Sequence, residues 1–261
     1  MRIRRRRTSW LAPTLVALIA CAALAGEAAA ATSDAQRFVA VGWSDPVEPR
    51  GWVQRFATRE PWAFDGDAIP VGRNPTLRFA GGRLYAVSDL DATIVEIDCT
   101  SWSATRSYTL RAGSEPLDIA VVAPPLAYVT TRSSSSLLAL DLETGAVRSA
   151  LDFAELDLPI GALLVPGMMA IDAGRLFVQL SRFDALAVDA PGAAEPSGFV
   201  AVVDVATEKL VDADPQQAGT QAIALQGTFP KYKMSLLRDE RRLYLSASGA
   251  FFDEGGLEAI D

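Results

Sequence analysis

The 261-residue sequence contains no histidine and only two cysteines. Histidine is the commonest general base and the commonest metal ligand in proteins, so catalysis here would have to use carboxylates, lysine, serine or tyrosine. Two cysteines cannot supply a disulfide framework, and a chain of this length can fold without one. Half of the residues are hydrophobic and 21% are charged, which excludes a disordered chain and predicts a sizeable buried core.

The N-terminus combines a cationic start with a short apolar stretch. Five of the first seven residues are arginine, and the following WLAPTLVALIA is too short for a comfortable membrane span. We therefore predict an exported protein with a signal peptide at residues 1–20. Residues 21–36 are mostly small and predict a flexible tether, which leaves a folded domain over residues 37–261.

The end of this apolar stretch offers two alternative processing sites. Leu18-Ile19-Ala20-Cys21 resembles the lipobox of bacterial lipoproteins, in which cleavage before the cysteine leaves its thiol to carry diacylglycerol. This resemblance implies lipid attachment at Cys21 and a location in the outer membrane or periplasm. The alternative is ordinary cleavage after the alanines at 28–31, which predicts a secreted protein. The residues alone leave both alternatives open.

Acidic residues outnumber basic ones, and the formal net charge is −8. Removal of residues 1–20, which contain five arginines and no acidic residue, would change it to −13. A surface of this sign repels phosphate groups and anionic lipid headgroups. We therefore expect no nucleic-acid partner, and membrane attachment only through a lipid anchor.

Four segments repeat one pattern, in which two short apolar runs are joined by turn residues and the second run ends in aspartate. A proline precedes each copy, and because proline lacks the N–H that a central strand needs, we expect it at the entry of a strand. A degenerate fifth copy occupies residues 37–56. The prolines are Pro75, Pro116, Pro166 and Pro230, and the aspartates are Asp98, Asp141, Asp204 and Asp261.

Each copy predicts four antiparallel strands, A to D, in about 40–50 residues, which is typical of a β-propeller blade. We therefore predict an all-β fold, a β-propeller of about five four-stranded antiparallel blades. The first copy begins at strand B and the last copy lacks strand D. Because this arrangement leaves a sheet edge open, we expect the chain to be part of a longer propeller.

Three stretches carry a closer resemblance: Val71-Gly72-Arg73-Asn74-Pro75, Tyr128-Val129-Thr130 and Val202-Val203-Asp204-Val205-Ala206-Thr207. They are similar to the YVTN-type β-propeller repeat of bacterial proteins. The resemblance implies the propeller architecture over most of residues 37–261. It implies little about function, since propellers of this type serve many roles.

Length differences between the copies gather in two kinds of loop. The third copy carries an insertion in its B–C loop around residues 183–198, and the later D–A connections are also longer. In a propeller these two loops emerge on the same side, which we call the loop-rich face. Loops on a rigid scaffold commonly carry binding residues, so we expect a protein or carbohydrate partner at this face. The alternative is tolerated insertion, because doubling a loop costs only about 0.6 kcal/mol.

Carboxylates provide a second hypothesis, a calcium-dependent hydrolase or lactonase-like enzyme with its site at the central channel. Asp118 and Asp172 lie on predicted A strands and are its candidate ligands. Aspartate beside glycine is ordinary turn chemistry, and no stretch has the spacing of a dedicated calcium loop. We therefore predict no cofactor and favour a non-catalytic binding or scaffolding module of the cell envelope. The turn carboxylates considered are Asp65-Gly66-Asp67, Asp89-Leu90-Asp91 and Asp253-Glu254.

Structural roles explain the remaining candidates. The serines at 133–136 predict a polar hairpin loop, because no histidine or nearby lysine could activate a nucleophile. Cys99 has no basic neighbour and is predicted to be inert. The aspartates that end strand C are expected to accept hydrogen bonds from the next turn. The tryptophans at 43, 52, 62 and 102 are expected to pack between blades.

Overall fold

The described strands form five consecutive antiparallel sheets, each made from neighbouring segments of the chain. This order confirms the predicted all-β propeller architecture with about five blades. The computed structural model describes residues 17–21, 38–45, 50–58, 60, 62–158, 162–184, 198–225, 229–237, 242–248 and 255–260. Within these residues no helix is both long and apolar enough to cross a membrane.

The blades follow one another along the chain. Blade 1 consists of β1 (Ala17–Cys21), β2 (Phe38–Ser44), β3 (Gly51–Ala57) and β4 (Phe64–Val71). Blade 2 consists of β5 (Pro75–Ala80), β6 (Arg83–Ser88), β7 (Thr93–Asp98) and β8 (Ser103–Thr109). Blade 3 consists of β9 (Pro116–Ala123), β10 (Leu126–Thr131), β11 (Ser136–Asp141) and β12 (Val147–Asp152), followed by a 3₁₀ turn at Phe153–Glu155.

The last two blades depart from the four-strand pattern. Blade 4 consists of β13 (Ala162–Asp172), β14 (Arg175–Asp184) and β15 (Gly198–Asp204), and its outer edge is shared by β16 (Lys209–Val211) and β17 (Ile223–Ala224). Blade 5 consists of β18 (Phe229–Leu237), β19 (Arg242–Ser248) and β20 (Gly255–Ile260). Among the described residues the sheet of blade 5 has three strands.

The first blade differs from its prediction at the inner position. The sequence predicted that blade 1 begins at strand B, and β2 occupies that position. However, β1 pairs with β2 and occupies the position of strand A. Cys21 lies opposite Phe38 in this register. The strand thus comes from the end of the segment predicted to be a signal peptide, whose removal stays a prediction.

Prolines occupy two kinds of position in the inner strands. Pro75 and Pro116 begin β5 and β9, as predicted. Pro166 and Pro230 instead lie inside β13 and β18, where the pairing with the next strand shifts its register. A residue at such a bulge makes no regular ladder bond, so the missing N–H of proline is tolerated there.

Blades 2, 3 and 4 bury both of their faces, because alternate side chains of a strand point to opposite sides of the sheet. In β6, Leu84 and Ala86 join the apolar cluster between blades 1 and 2. Tyr85 and Val87, one residue further along, join the cluster between blades 2 and 3. This alternation explains why the strands read as continuous apolar runs and why neighbouring blades stack face to face.

Three of the four aspartates predicted to end strand C hold the next turn, as predicted, whereas Asp261 lies outside the described residues. Asp141 Oδ1 accepts hydrogen bonds from the backbone N–H groups of Thr144 and Glu143, both at 2.8 Å. Asp98 and Asp204 accept equivalent bonds in their own blades. Because these donors stabilise the ionised carboxylate, they lower the pKa of all three groups below the ordinary value.

Replacement of Asp141 by alanine should remove the pH-dependent stability that this carboxylate contributes to the folded protein. A depressed pKa contributes stability above the unfolded-state value and loses it as the pH falls through the folded-state value. We expect Asp141→Ala to lower the melting temperature at neutral pH, and the difference from wild type to shrink between about pH 5 and about pH 2. Thermal unfolding followed by circular dichroism across this range measures it. Glu143→Gln is the control, because it removes a charge from the same turn and leaves the Asp141 carboxylate in place. A difference in melting temperature between Asp141→Ala and wild type that stays constant with pH would contradict the prediction.

Candidate functional site

The loop-rich face begins where the connection from blade 1 crosses the B–C loop of blade 2. Arg73, in that connection, donates to the Asp91 carboxylate from Nε at 2.9 Å and from Nη2 at 2.7 Å. Its backbone N–H donates to the second oxygen of Asp91 at 2.6 Å. The hydrogen bonds from Arg73 lower the pKa of Asp91, so this carboxylate is held ionised.

Asn74 links blade 1 to blade 2. Its backbone N–H donates to Ser44 Oγ at 2.6 Å, and its Nδ2 donates to Asp89 Oδ2 at 2.9 Å. The residue has a φ of 52°, a left-handed conformation that asparagine tolerates better than most residues. The residue type therefore follows from the backbone as well as from the contacts.

Gly72 explains another position of the same motif. A Cβ atom there would lie 2.5 Å from Cβ of Ser88 and 2.9 Å from Oγ1 of Thr93. Such contacts are too short for any side chain, so only glycine lets the connection pass this close to the B–C loop. The motif at residues 71–75 thus sets the distance between blades and presents Arg73 and Asn74 to the loop-rich face.

Arg132 extends these contacts to blade 3. Its Nη2 lies 3.6 Å from Oδ2 of Asp89, and its Nη1 lies 3.4 Å from Oε2 of Glu115. Glu115 precedes Pro116 as Asn74 precedes Pro75, and it also has a left-handed backbone, with φ of 47°. We call the connected set of Ser44, Asn74, Asp89, Glu115 and Arg132 the mouth network.

Buried polar atoms without partners lie at the same place. Asp89 is only 7% exposed, and its Oδ1 has no hydrogen-bond partner among the described residues. The neighbouring Ser88 Oγ is fully buried and also lacks one within that part of the chain. An unsatisfied buried polar group costs about 1–3 kcal/mol, and in native structures such groups are concentrated at strained or functional places.

The central channel holds a different polar contact, on the inner strands of blades 2 to 4. Asp118 in β9 is 0% exposed, and it accepts hydrogen bonds from Nε and Nη2 of Arg78 in β5. Its carboxylate also accepts the backbone N–H groups of Ile119 at 2.8 Å and of Met169 in β13 at 2.7 Å. These bonds join the inner strands of three blades around one buried carboxylate.

The two carboxylates proposed as calcium ligands do not form a common site. The carboxylate of Asp118 already accepts hydrogen bonds from Arg78 and from two backbone N–H groups. Asp172 ends β13 beside the turn to β14, three residues beyond the Met169 that contacts Asp118. Within the described ranges no group of three acidic or cysteine side chains could hold a metal ion.

The turn carboxylates have separate positions. The Asp65–Asp67 turn lies inside β4, where the backbone oxygens of Gly66 and Asp67 accept hydrogen bonds from Gln54 and Trp102. Asp89 belongs to the mouth network and Asp91 pairs with Arg73. Asp253 and Glu254 lie outside the described residues, as do positions 185–197 of the predicted insertion.

The serine run is a polar B–C loop, as predicted. Ser133 Oγ donates to the backbone oxygen of Ser114 at 2.9 Å, and Ser135 Oγ donates to Asp152 Oδ1 at 2.7 Å. Ser134 Oγ accepts the N–H of Ser136. The loop is therefore tied down by local contacts next to Arg132.

The remaining candidates divide between the core and the surface. Cys99 is half-buried and packs with Trp102 against the core of blades 1 and 2. Trp43 stacks on Trp52 at 4.4 Å but is 36% exposed, and Trp62 is exposed, so the predicted packing between blades is seen only for Trp102. The side chain of Cys21 lies outside the described residues.

On the opposite face, Arg148 provides a comparison for Arg132. Arg148 donates to both carboxylate oxygens of Glu208 in blade 4, at 2.8 and 2.5 Å. Tyr128 donates its hydroxyl to the same group at 3.1 Å, and the bonds from Arg148 and Tyr128 lower the pKa of Glu208. The two arginines have similar side-chain exposure, 50% for Arg132 and 56% for Arg148, but lie on opposite faces.

Comparison with solved structures supports the propeller fold. Kuenenia stuttgartiensis hydrazine synthase is similar over 85% of this chain and 58% of its own, with a TM-score of 0.53 and 13% identity. The Myceliophteria thermophila Cps50 (Swd1) β-propeller domain is similar over 81% of this chain and 60% of its own, with a TM-score of 0.51 and 10% identity. The chain thus spans about three fifths of the length of both. No protein-family model and no curated protein matches the sequence.

The Arg78–Asp118 pair should show strong coupling in stability measurements. Arg78→Met leaves the Asp118 charge buried and uncompensated, which costs about 3–5 kcal/mol. We expect Asp118→Asn added to Arg78→Met to restore part of that loss, because it removes the charge and keeps an acceptor for the backbone donors. Urea unfolding of the single and double variants measures the coupling. Arg73→Met, which breaks a pair at the surface, should cost less, and a double variant as unstable as the sum of the single ones would contradict the prediction.

Proposed function

We propose that this chain is a non-catalytic binding or scaffolding module of the bacterial cell envelope, built from YVTN-type repeats. It holds a protein or carbohydrate partner at its loop-rich face. The mouth network carries this proposal, because it joins blades 1 to 3 and fixes an amide, two carboxylates and a guanidinium beside one another. Polar groups positioned before binding lose little entropy when a partner arrives.

Two features favour recognition over hydrolysis. The fully buried carboxylate of the channel is saturated by donors from its own fold. The charged groups of the mouth network contact each other across blades, which suits fixed hydrogen bonding to a partner surface. The enzyme hypothesis would instead need carboxylates gathered around one open point of the channel.

A pair of matched arginine variants tests the face that binds. The wild-type protein is mixed with the envelope fraction of its own cells, and the bound share is measured by co-sedimentation over a range of concentrations. We expect Arg132→Ala to weaken this association about tenfold, as when a charged side chain at the centre of an interface is removed. Arg148→Ala, on the opposite face, should leave it unchanged.

If both variants lost binding to the envelope fraction equally, or if only Arg148→Ala lost it, the loop-rich face would not be the binding surface. Treatment of the envelope fraction separates the two kinds of partner. Prior digestion with protease abolishes binding to a protein partner, whereas periodate oxidation abolishes binding to a carbohydrate. Circular dichroism of each variant confirms that the propeller is folded.

Export and lipid attachment form a separate part of the proposal. Cleavage before Cys21 would remove residues 17–20 of β1 and leave Cys21 as the first residue, with its thiol available for a diacylglyceryl group. We expect the wild-type protein to incorporate labelled palmitate in its own cells and to sediment with membranes. Cys21→Ser should lose both properties and Cys99→Ser should keep them. An unlabelled wild-type protein with a mass that fits cleavage after residues 28–31 would establish ordinary secretion instead.

A further inference from the structure

A small cavity opens between the inner strands of blades 2, 3 and 4, away from the loop-rich face. Its volume is about 160 Å³. This volume is large enough for a ring of the size of benzene. The lining comes from β5, β6, β9 and β13, and it is apolar except for Arg78 and Tyr85: the other residues are Phe79, Ala80, Ile119, Ala120, Val121, Met169, Ala170 and Ile171.

Arg78 lines this cavity and keeps one nitrogen without a hydrogen-bond partner among the described residues. Its Nε and Nη2 donate to Asp118, and Nη2 also lies 3.5 Å from the backbone oxygen of Met169. Nη1 donates to no residue that the structure describes, and the side chain is 26% exposed. A guanidinium has five N–H donors, so two of them remain available on Nη1.

Asp118 determines both the orientation and the net charge of this donor. The carboxylate is buried and is itself held by two backbone N–H groups, so the planar guanidinium cannot rotate without breaking a bidentate pair. Because the carboxylate cancels the guanidinium charge, the site attracts a second anion weakly. A neutral oxygen acceptor needs no such compensation and gains a hydrogen bond to a charged donor.

We propose that this cavity is a second binding site, for a small neutral ring compound that carries one carbonyl oxygen. The oxygen accepts hydrogen bonds from Nη1 of Arg78, and the ring packs among Ala80, Val121 and Ile171. Tyr85 keeps its proton throughout the neutral range, because burial raises its pKa to about 12. The site therefore adds no further charge that would favour an ionic ligand.

Cyclohexanone is the probe for this site, and saturation-transfer NMR with the full chain measures its binding. Cyclohexanecarboxylate and cyclohexylammonium keep the ring and replace the neutral acceptor by an anion or a cation. We expect cyclohexanone to bind more tightly than either. Arg78→Lys keeps a positive charge near Asp118 but removes the Nη1 donors, and it should weaken cyclohexanone binding at least about tenfold.

Two further variants make the test independent of the buried pair. Ala80→Leu fills the cavity without changing Arg78 or Asp118 and should abolish binding even if Arg78→Lys fails to fold. Arg175→Lys changes a comparable arginine, paired with Asp204 at 2.5 Å far along the chain, and should bind as wild type does. Absence of cyclohexanone binding, equal binding in Ala80→Leu, or tighter binding of the carboxylate would overturn the proposal. None of these outcomes bears on envelope binding through Arg132.

Discussion

Burial of both faces of the sheets of blades 2, 3 and 4 is the constraint on which this fold depends. In β6 the side chains of Leu84 and Tyr85 belong to different apolar clusters, one shared with blade 1 and one shared with blade 3. A shift of one residue would exchange the two faces, so strand register is strongly specified. Length is free to vary only between strands. This is why the differences among the copies lie in loops that meet on one face.

The Arg78–Asp118 pair is the main exception to an apolar interior along the channel. A buried carboxylate is tolerated there because four donors surround it, two from one guanidinium and two from the backbone. Its saturation argues against a role as a cation ligand. The same pairing leaves Nη1 of Arg78 without a partner among the described residues, beside the cavity that this arginine lines.

The mouth network combines structural and recognition roles in the same residues. Gly72 allows the blades to approach, and Asn74 adopts a left-handed backbone that directs its amide to Asp89. These features hold the D–A connection against the B–C loop, so the polar groups of three blades share one rigid surface. The proposed binding function therefore rests on residues that also connect neighbouring blades.

The repeat spacing by itself determined most of the strands, their order in each blade and the aspartates of the C–D turns in blades 2, 3 and 4, because these depend on contacts within a few residues. The A strand of blade 1 was missed, since its residues carry the pattern of a signal peptide. Only the tertiary structure paired Arg78 with Asp118, Asn74 with Ser44, and Arg132 with Asp89. These residues lie in different blades, and the period of a strand says which face a side chain takes but not which side chain of the next blade stands opposite it.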